Sequence, residues 1–174
     1  MQTQRLKLRL LRNGDAVRIA ELGGAWEVAS MTGRIPYPYS AEQAHHWLTD
    51  LAAGEVVYAI EYEGELIGIC GYTPDGRGSA ELGYWIGIPY WGRGFATEAT
   101  RLLMQHGFTQ GRLKRFVCCH FTENPASARV IRKLGFKLLG PCAGWCEARG
   151  MEIPALRYER HRPITTALKA AFAS

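Results

Sequence analysis

No apolar run in the chain is long enough to cross a bilayer, and the opening MQTQRLKLRL lacks the hydrophobic stretch of a secretory leader. A cytoplasmic setting is the expectation that follows. Cysteine is sparse and odd in number, five in 174 residues, which argues for reduced thiols over a disulfide framework. Cys142 and Cys146 are spaced as some metal ligands are, but no second Cys/His pair completes a tetrahedral set, so no metal is expected. Long blocks of like charge are also missing. The net charge of +5 is spread over the chain, which favours an anionic ligand without choosing between a phosphorylated cofactor and nucleic acid. There is no low-complexity tract, linker or internal repeat. With 47% hydrophobic and 21% charged residues, one soluble domain over residues 1–174 is expected. Residues 161–174 would be its tail, adding a helical turn around Leu168 and Phe172 or staying mobile.

What is present begins with strict alternation. Over Arg5–Leu11, Leu6, Leu8 and Leu10 share one face and Arg5, Lys7 and Arg9 the other, as in a half-buried strand. Asp15 or Asn13 can cap a helix over Ala16–Leu22, which Gly23-Gly24 ends. The segment Ser30–Tyr39 is a loop by composition. Ser40 and Gln43 make a capping box for a helix with Ala44, Trp47, Leu48 and Leu51 on one face. Val56–Tyr62 and Leu66–Thr73 read as a hairpin turning at Glu63-Gly64, and a third strand starts at Ala80. A helix over about 95–108 then leads to a buried strand, Phe116–Phe121, which should run parallel to the one before the helix. Asn124 as N-cap, Pro125 at the first helical position and Gly135 after the end mark another helix, with Ala126, Val130 and Leu134 as its inner stripe. Two final strands, Phe136–Leu139 and about Met151–Glu159, flank a loop holding Trp145; Pro154 places the last at an edge or bulge. The fold class is α+β, a mixed and mostly antiparallel sheet of about seven strands with helices on both faces.

The most informative stretch is Ile88–Leu103, IPYWGRGFATEATRLL. A strand that breaks at glycines and enters a helix presents backbone N–H groups at the positive end of the helix dipole, a natural seat for phosphate. Gly92 and Gly94 remove Cβ atoms that would hold a ligand off the backbone. Two familiar phosphate loops do not fit. A Walker loop needs Lys and then Ser or Thr after its last glycine, where this chain has Phe95. A dinucleotide fingerprint needs a third glycine and a carboxylate about 20 residues on; Thr97 stands in the first place and residues 116–120 offer no acid.

The order of these elements resembles the GNAT acyl-CoA N-acetyltransferases, and within them the Rim-type branch that modifies ribosomal proteins. The likeness rests on Trp91-Gly92-Arg93-Gly94-Phe95-Ala96, on Glu81–Ile86, on the Ile35–Tyr39 loop and on Asn124–Phe136. Trp91 departs from the general Q/R-x-x-G-x-G/A signature but is typical of that branch. The resemblance implies acetyl-CoA as donor. Backbone N–H groups from Gly92 to Ala96 would hold its pyrophosphate, with Thr97 near by. The strand end at Trp85, Ile86, Gly87 and Ile88, splayed by a bulge, would pair with the pantetheine. Asn124 would bind pantetheine as well as, or instead of, capping its helix, and Arg129 or Lys133 would reach the 3′-phosphate. A homodimer is also a family expectation.

Acetyl transfer needs a neutral amine, a donor for the developing oxyanion and a proton for the leaving thiol. An α-amino group, with a pKa near 8, is partly neutral at pH 7, whereas a Lys amine near 10.4 is not. A protein N-terminus therefore needs only a modest base. The resemblance implies Glu81 as base, a backbone N–H near Ile86–Ile88 as oxyanion donor and Ser127 as acid; Glu81 paired to a nearby Arg is the structural alternative. The acceptor-binding candidates are Tyr37, Tyr39 and Glu147, from the loops that vary with substrate, and Tyr84 from the strand before the glycine turn. Cys118 and Cys119 read as core, with no base to activate a covalent route. A small-molecule acetyltransferase for an antibiotic or amino acid is the first alternative. A non-catalytic CoA- or ribosome-binding module is the second, and an RNA-binding domain fits the placement of the aromatics poorly.

Overall fold

A computed structural model describes residues 1–51 and 54–163. The expected helical turn around Leu168 and Phe172 lies outside the described residues. Seven strands form one sheet: β1 (Leu6–Arg9), β2 (Val56–Tyr62), β3 (Glu65–Pro74), β4 (Ser79–Ile86), β5 (Arg115–Phe121), β6 (Lys137–Cys146) and β7 (Met151–His161). Their spatial order is β1-β2-β3-β4-β5-β7-β6, and every neighbouring pair is antiparallel except β4 and β5. Among the described residues five α-helices accompany them: α1 (Ala16–Gly23), α2 (Trp26–Ala29), α3 (Ala41–Thr49), α4 (Phe95–Thr109) and α5 (Pro125–Lys133). The strand–α4–strand crossover accounts for the one parallel pair, because α4 carries the chain back along the sheet so that β5 starts at the same end as β4.

A register break opposite Ile60 and Glu61 leaves Ile67 as an extra residue in β3, so residues three apart there share a face. Ile67 and Cys70 join the cluster beneath α4 and α5, with Phe95, Leu103, Phe116, Ile131 and Leu134. Leu66 and Ile69 join the cluster beneath α1 and α3, with Ile19, Leu22 and Ala44. Helices therefore lie on both faces.

Several expectations needed correction. Leu10 is 72% exposed, because β1 pairs with β2 over only four residues and the chain leaves the sheet after Arg9. Neither Asn13 nor Asp15 caps α1 through its side chain. The Asp15 carboxylate instead takes Arg9 at 2.7 and 2.9 Å and the Arg12 N–H at 2.8 Å. The inner stripe of α5 runs through Val130, Ile131 and Leu134, and Ala126 is exposed. Trp145 lies in a strand, not a loop. β6 continues to Cys146 through a register break between Leu138 and Gly140, and Gly140, Pro141 and Gly144 hide its alternation. Pro154 sits in an inner strand, just past the end of β5. There its carbonyl accepts the Thr122 N–H at 2.9 Å, and its missing N–H costs only the return bond of that last pair.

Candidate active site

β4 and β5 are paired only at Ser79–Arg115, Ala80–Phe116 and Glu81–Val117. Beyond Glu81, β4 stays with β3 as far as Ile86, while β5 stays with β7 as far as Phe121, so the sheet opens into a wedge. The expected bulge in β4 is absent. Its register with β3 is unbroken from Pro74–Ala80 to Gly68–Ile86, and the wedge arises because each strand keeps the twist of its own outer neighbour. The Gly87 N–H bonds the Ile67 carbonyl at 2.8 Å, which turns Gly87 and, by alternation, Trp85 toward β3. The backbones of Tyr84 and Ile86 therefore face the wedge. Trp91 donates its indole N–H to the Ile86 carbonyl at 2.6 Å, leaving the Ile86 N–H as the group directed into the opening. The Trp85 ring lies on the other face, packed near Gly23 and Ile35.

A tight turn, Ile88–Tyr90, follows, and then Gly92 and Gly94 at φ of 74° and 80°. Glycine is needed at both, because L-residues avoid this region. A Cβ on Gly92 would meet no protein atom within 4 Å, and one on Gly94 would meet only Arg5 Nη2, at 3.9 Å. The space over the loop is thus open. The first bond of α4 runs from the Glu98 N–H to the Gly94 carbonyl, so the N–H groups of Phe95, Ala96 and Thr97 have no acceptor within the helix. They open onto a groove of about 540 Å³ whose walls include Arg5, Gly94, Thr97, Arg101 and Lys133. Open space, free donors and cationic walls together suit a phosphorylated ligand. The Phe95 ring is fully buried, so only its backbone can take part. The Arg93 guanidinium bonds the Tyr62 hydroxyl at 2.9 Å and stacks on Tyr62 and Phe95, which leaves its backbone as the available group. Lys133 and Arg129 separate here: Lys133 lines this groove, while Arg129 lines another, of about 480 Å³, with Arg132, Leu138 and Tyr158.

The far wall of the wedge is the first turn of α5. Asn124 Oδ1 accepts the Ser127 N–H at 2.9 Å, so it does cap the helix. Ser127 Oγ lies 2.8 Å from Tyr84 Oη. Tyr84 thus reaches across the wedge toward α5, on the face of β4 opposite Glu81. Burial holds its phenol well above the ordinary range, although the Ser127 hydrogen bond opposes this. Glu81 is exposed at the apex of the wedge, on the opposite face, and forms no salt bridge among the described residues. Glu147 lies in the turn after β6, where its N–H bonds the Gly33 carbonyl at 3.0 Å and its carboxylate accepts the Trp145 indole at 2.7 Å. Tyr37 is 51% exposed, its ring edge-on to Trp26 at 5.0 Å. Tyr39 packs toward Trp85, and burial pushes its phenol up to about 12. Arg5, Arg101 and Tyr62 were not legible as site residues, because each arrives from an element with no motif of its own. Among the described residues no cluster of three potential metal ligands occurs, and no helix is long and apolar enough to cross a membrane.

A split sheet with unbonded helix N-terminal N–H groups at its mouth matches the acyl-CoA-dependent transferase that the sequence resemblance implies. The family model described as the acetyltransferase (GNAT) domain matches residues 5–137, so the chain belongs to the GNAT acetyltransferases. It is 29% identical over 158 residues to the uncharacterized N-acetyltransferase p20 of Bacillus licheniformis, covering 86% of this chain and 89% of that one. It is 34% identical over 87 residues, 48% of each chain, to the ribosomal-protein-serine acetyltransferase of Escherichia coli. The fold matches spermidine N-acetyltransferase from Vibrio cholerae, solved with CoA and spermine, at a TM-score of 0.77 and 22% identity. That match covers 91% of this chain and 96% of the other.

Proposed function

We propose that this acetyl-CoA-dependent N-acetyltransferase acts on a protein N-terminal α-amino group, by direct transfer. The observation that carries the reading is the wedge between β4 and β5, with an unpaired carboxylate at its apex and a Ser–Tyr pair on its far wall. Acetyl-CoA supplies a thioester whose thiol is a fair leaving group. The chain supplies the rest. The N–H groups of Gly92 to Thr97 hold the pyrophosphate, with Lys133 and Arg101 as nearby cations. The Ile86 N–H is the oxyanion donor, worth about 10²–10³ in rate where such donors have been removed. Glu81 takes a proton from the incoming ammonium, directly or through water. Ser127 holds a proton for the sulfur. Tyr84, kept neutral, donates to Ser127 Oγ and so turns the serine proton into the wedge.

The acceptor side supports a polypeptide terminus over a small, enclosed ligand. Gly83, Cys119 and Arg157 are all exposed along the floor beside Glu81, and among the described residues no helix covers that part of the sheet. Glu147, Tyr37 and Tyr39 stand at its rim, next to residues 30–39. A cytoplasmic setting fits the free thiols. The test is acceptor-dependent thiol release from acetyl-CoA with N-terminal peptides, free amino acids, polyamines and aminoglycosides. Peptides should be turned over best. Faster turnover of a polyamine or aminoglycoside would replace this reading with the small-molecule one, and no turnover with any acceptor would end both.

A further inference from the structure

Three of the five cysteines, Cys70, Cys118 and Cys146, are buried; Cys119 is exposed and Cys142 half-buried. The transfer chemistry uses none of them. Yet the sulfurs of Cys119 and Cys142 lie 3.8 Å apart. They come from β5 and β6, with β7 between, and meet above Ala155, which is paired with both Phe121 and Cys142. A methyl group at that position leaves the room through which two thiols from non-adjacent strands approach. From this geometry we infer a reversible dithiol modification site on the acceptor face, which a low-molecular-weight disulfide closes into an intramolecular Cys119–Cys142 bond.

The exchange balances without a further reactant. One thiolate attacks the small disulfide, forming a mixed disulfide and expelling one small thiolate. The second cysteine gives its proton to solvent and displaces the other small thiol. The protein loses two hydrogens, and one small disulfide becomes two thiols. The sulfurs must close from 3.8 Å to about 2 Å, which requires backbone movement because the strands are not neighbours. β6 can supply it. It is the outer strand of the described sheet, its backbone paired with β7 on one side, and its register already breaks at Gly140, two residues before Cys142. Burial, and then the hydrogen bond with Cys142, push the Cys119 thiol up to about 12, so exchange is slow at neutral pH and quickens as pH rises. Glu81 adds to that rise, and Arg157, paired with Cys119 across β5 and β7, opposes it. Drawing β6 toward β5 also shifts the Trp145–Glu147 rim relative to Glu81. On the acceptor reading proposed above, closure therefore lowers amine turnover and leaves CoA binding unchanged.

The test uses the full chain and oxidised glutathione at mildly alkaline pH. Free thiols are then alkylated in denaturant and the peptides mapped by mass. Wild type should yield a Cys119–Cys142 cross-linked peptide pair, reversed by dithiothreitol, with the three buried thiols alkylated. Cys119→Ser and Cys142→Ser should each stop at a stable glutathione adduct on the remaining thiol. Accumulation of that adduct in wild type, or cross-linking between chains, would overturn the pair. Turnover of the cross-linked enzyme should fall at least fivefold and return on reduction, while the thermal shift given by CoA stays constant. Full turnover in a fully cross-linked sample would overturn its link to the acceptor face. A reduced enzyme inactive on every acceptor counts against the proposed function instead, since the mass readout does not depend on it.

Discussion

If the loop before α4 seats a pyrophosphate, charge placed at Gly94 should oppose it. The informative comparison is Gly94→Asp against Gly94→Asn, which share shape and differ in charge. Both must accept the left-handed backbone, φ 80°, which Asn and Asp tolerate better than other side chains. Neither meets protein closer than Arg5 Nη2 at 3.9 Å from the added Cβ, so both should fold, at a cost of about 1 kcal/mol. For a chain of this size that lowers Tm by about 2–4 °C. A carboxylate about 4 Å from one phosphate charge, at an effective dielectric near 20, repels it by about 4 kcal/mol. That corresponds to about 10³-fold in affinity. Arg5, next to the new side chain, will absorb part of this, so Asp should bind CoA about 10²–10³-fold more weakly than Asn. Calorimetric titration of CoA into each variant measures the ratio, and raising the salt should shrink it. Equal affinities for the Asp and Asn variants, with Tm values matched, would refute the placement of the pyrophosphate.

Tyr84→Phe should lower kcat about tenfold with little change in KM for acetyl-CoA, since it removes one hydrogen bond and no packing. Adding it to Ser127→Ala should cost nothing more, and additive losses in that double-mutant cycle would deny that Tyr84 acts through Ser127. Glu81→Gln should reduce turnover of an N-terminal peptide about 10²–10³-fold near pH 7. The remaining rate should climb as pH rises through the α-amino pKa near 8, and a pH profile unchanged from wild type would remove Glu81 as the base. Arg9 bonds Asp15 and Glu61 with side chains only 10–16% exposed, so Arg9→Leu should destabilise by about 3–5 kcal/mol at pH 7. For Asp15, burial raises the carboxyl but the Arg9 and Arg12 bonds outweigh it; for Glu61 the Arg9 bond dominates, and both end below the usual carboxylate range. The stability they contribute is therefore present above about pH 4 and is lost as pH falls further. The gap between wild type and variant should shrink below that pH in denaturant titrations.

Local patterns were enough wherever one short segment determines its own geometry. The capping box at Ser40 and Gln43 formed as written, at 2.8 and 3.1 Å, and Asn124 bonded the Ser127 N–H. Gly92 and Gly94 marked where the backbone lies open before a helix, and their positive φ, 74° and 80°, came with the structure. The strand–helix–strand order fixed the parallel pair of β4 and β5. The far half of β6 is hidden in the sequence, because a register break and two glycines interrupt its period.

What the sequence by itself determined is the donor side: a glycine turn, a helix start and a capped second helix are local features, set by backbone sterics and dipoles within a few residues. The placement of Tyr84 against Ser127, of Lys133 but not Arg129 beside Gly94, and of Cys119 against Cys142 was decided only by the tertiary structure. Each depends on twist accumulated across several strands and on which way α5 is rotated. A rotation of one residue, about 100° on a helix, moves a side chain from one groove to the next. The wedge itself is of this kind, since nothing in β4 alone tells it to part from β5 after Glu81.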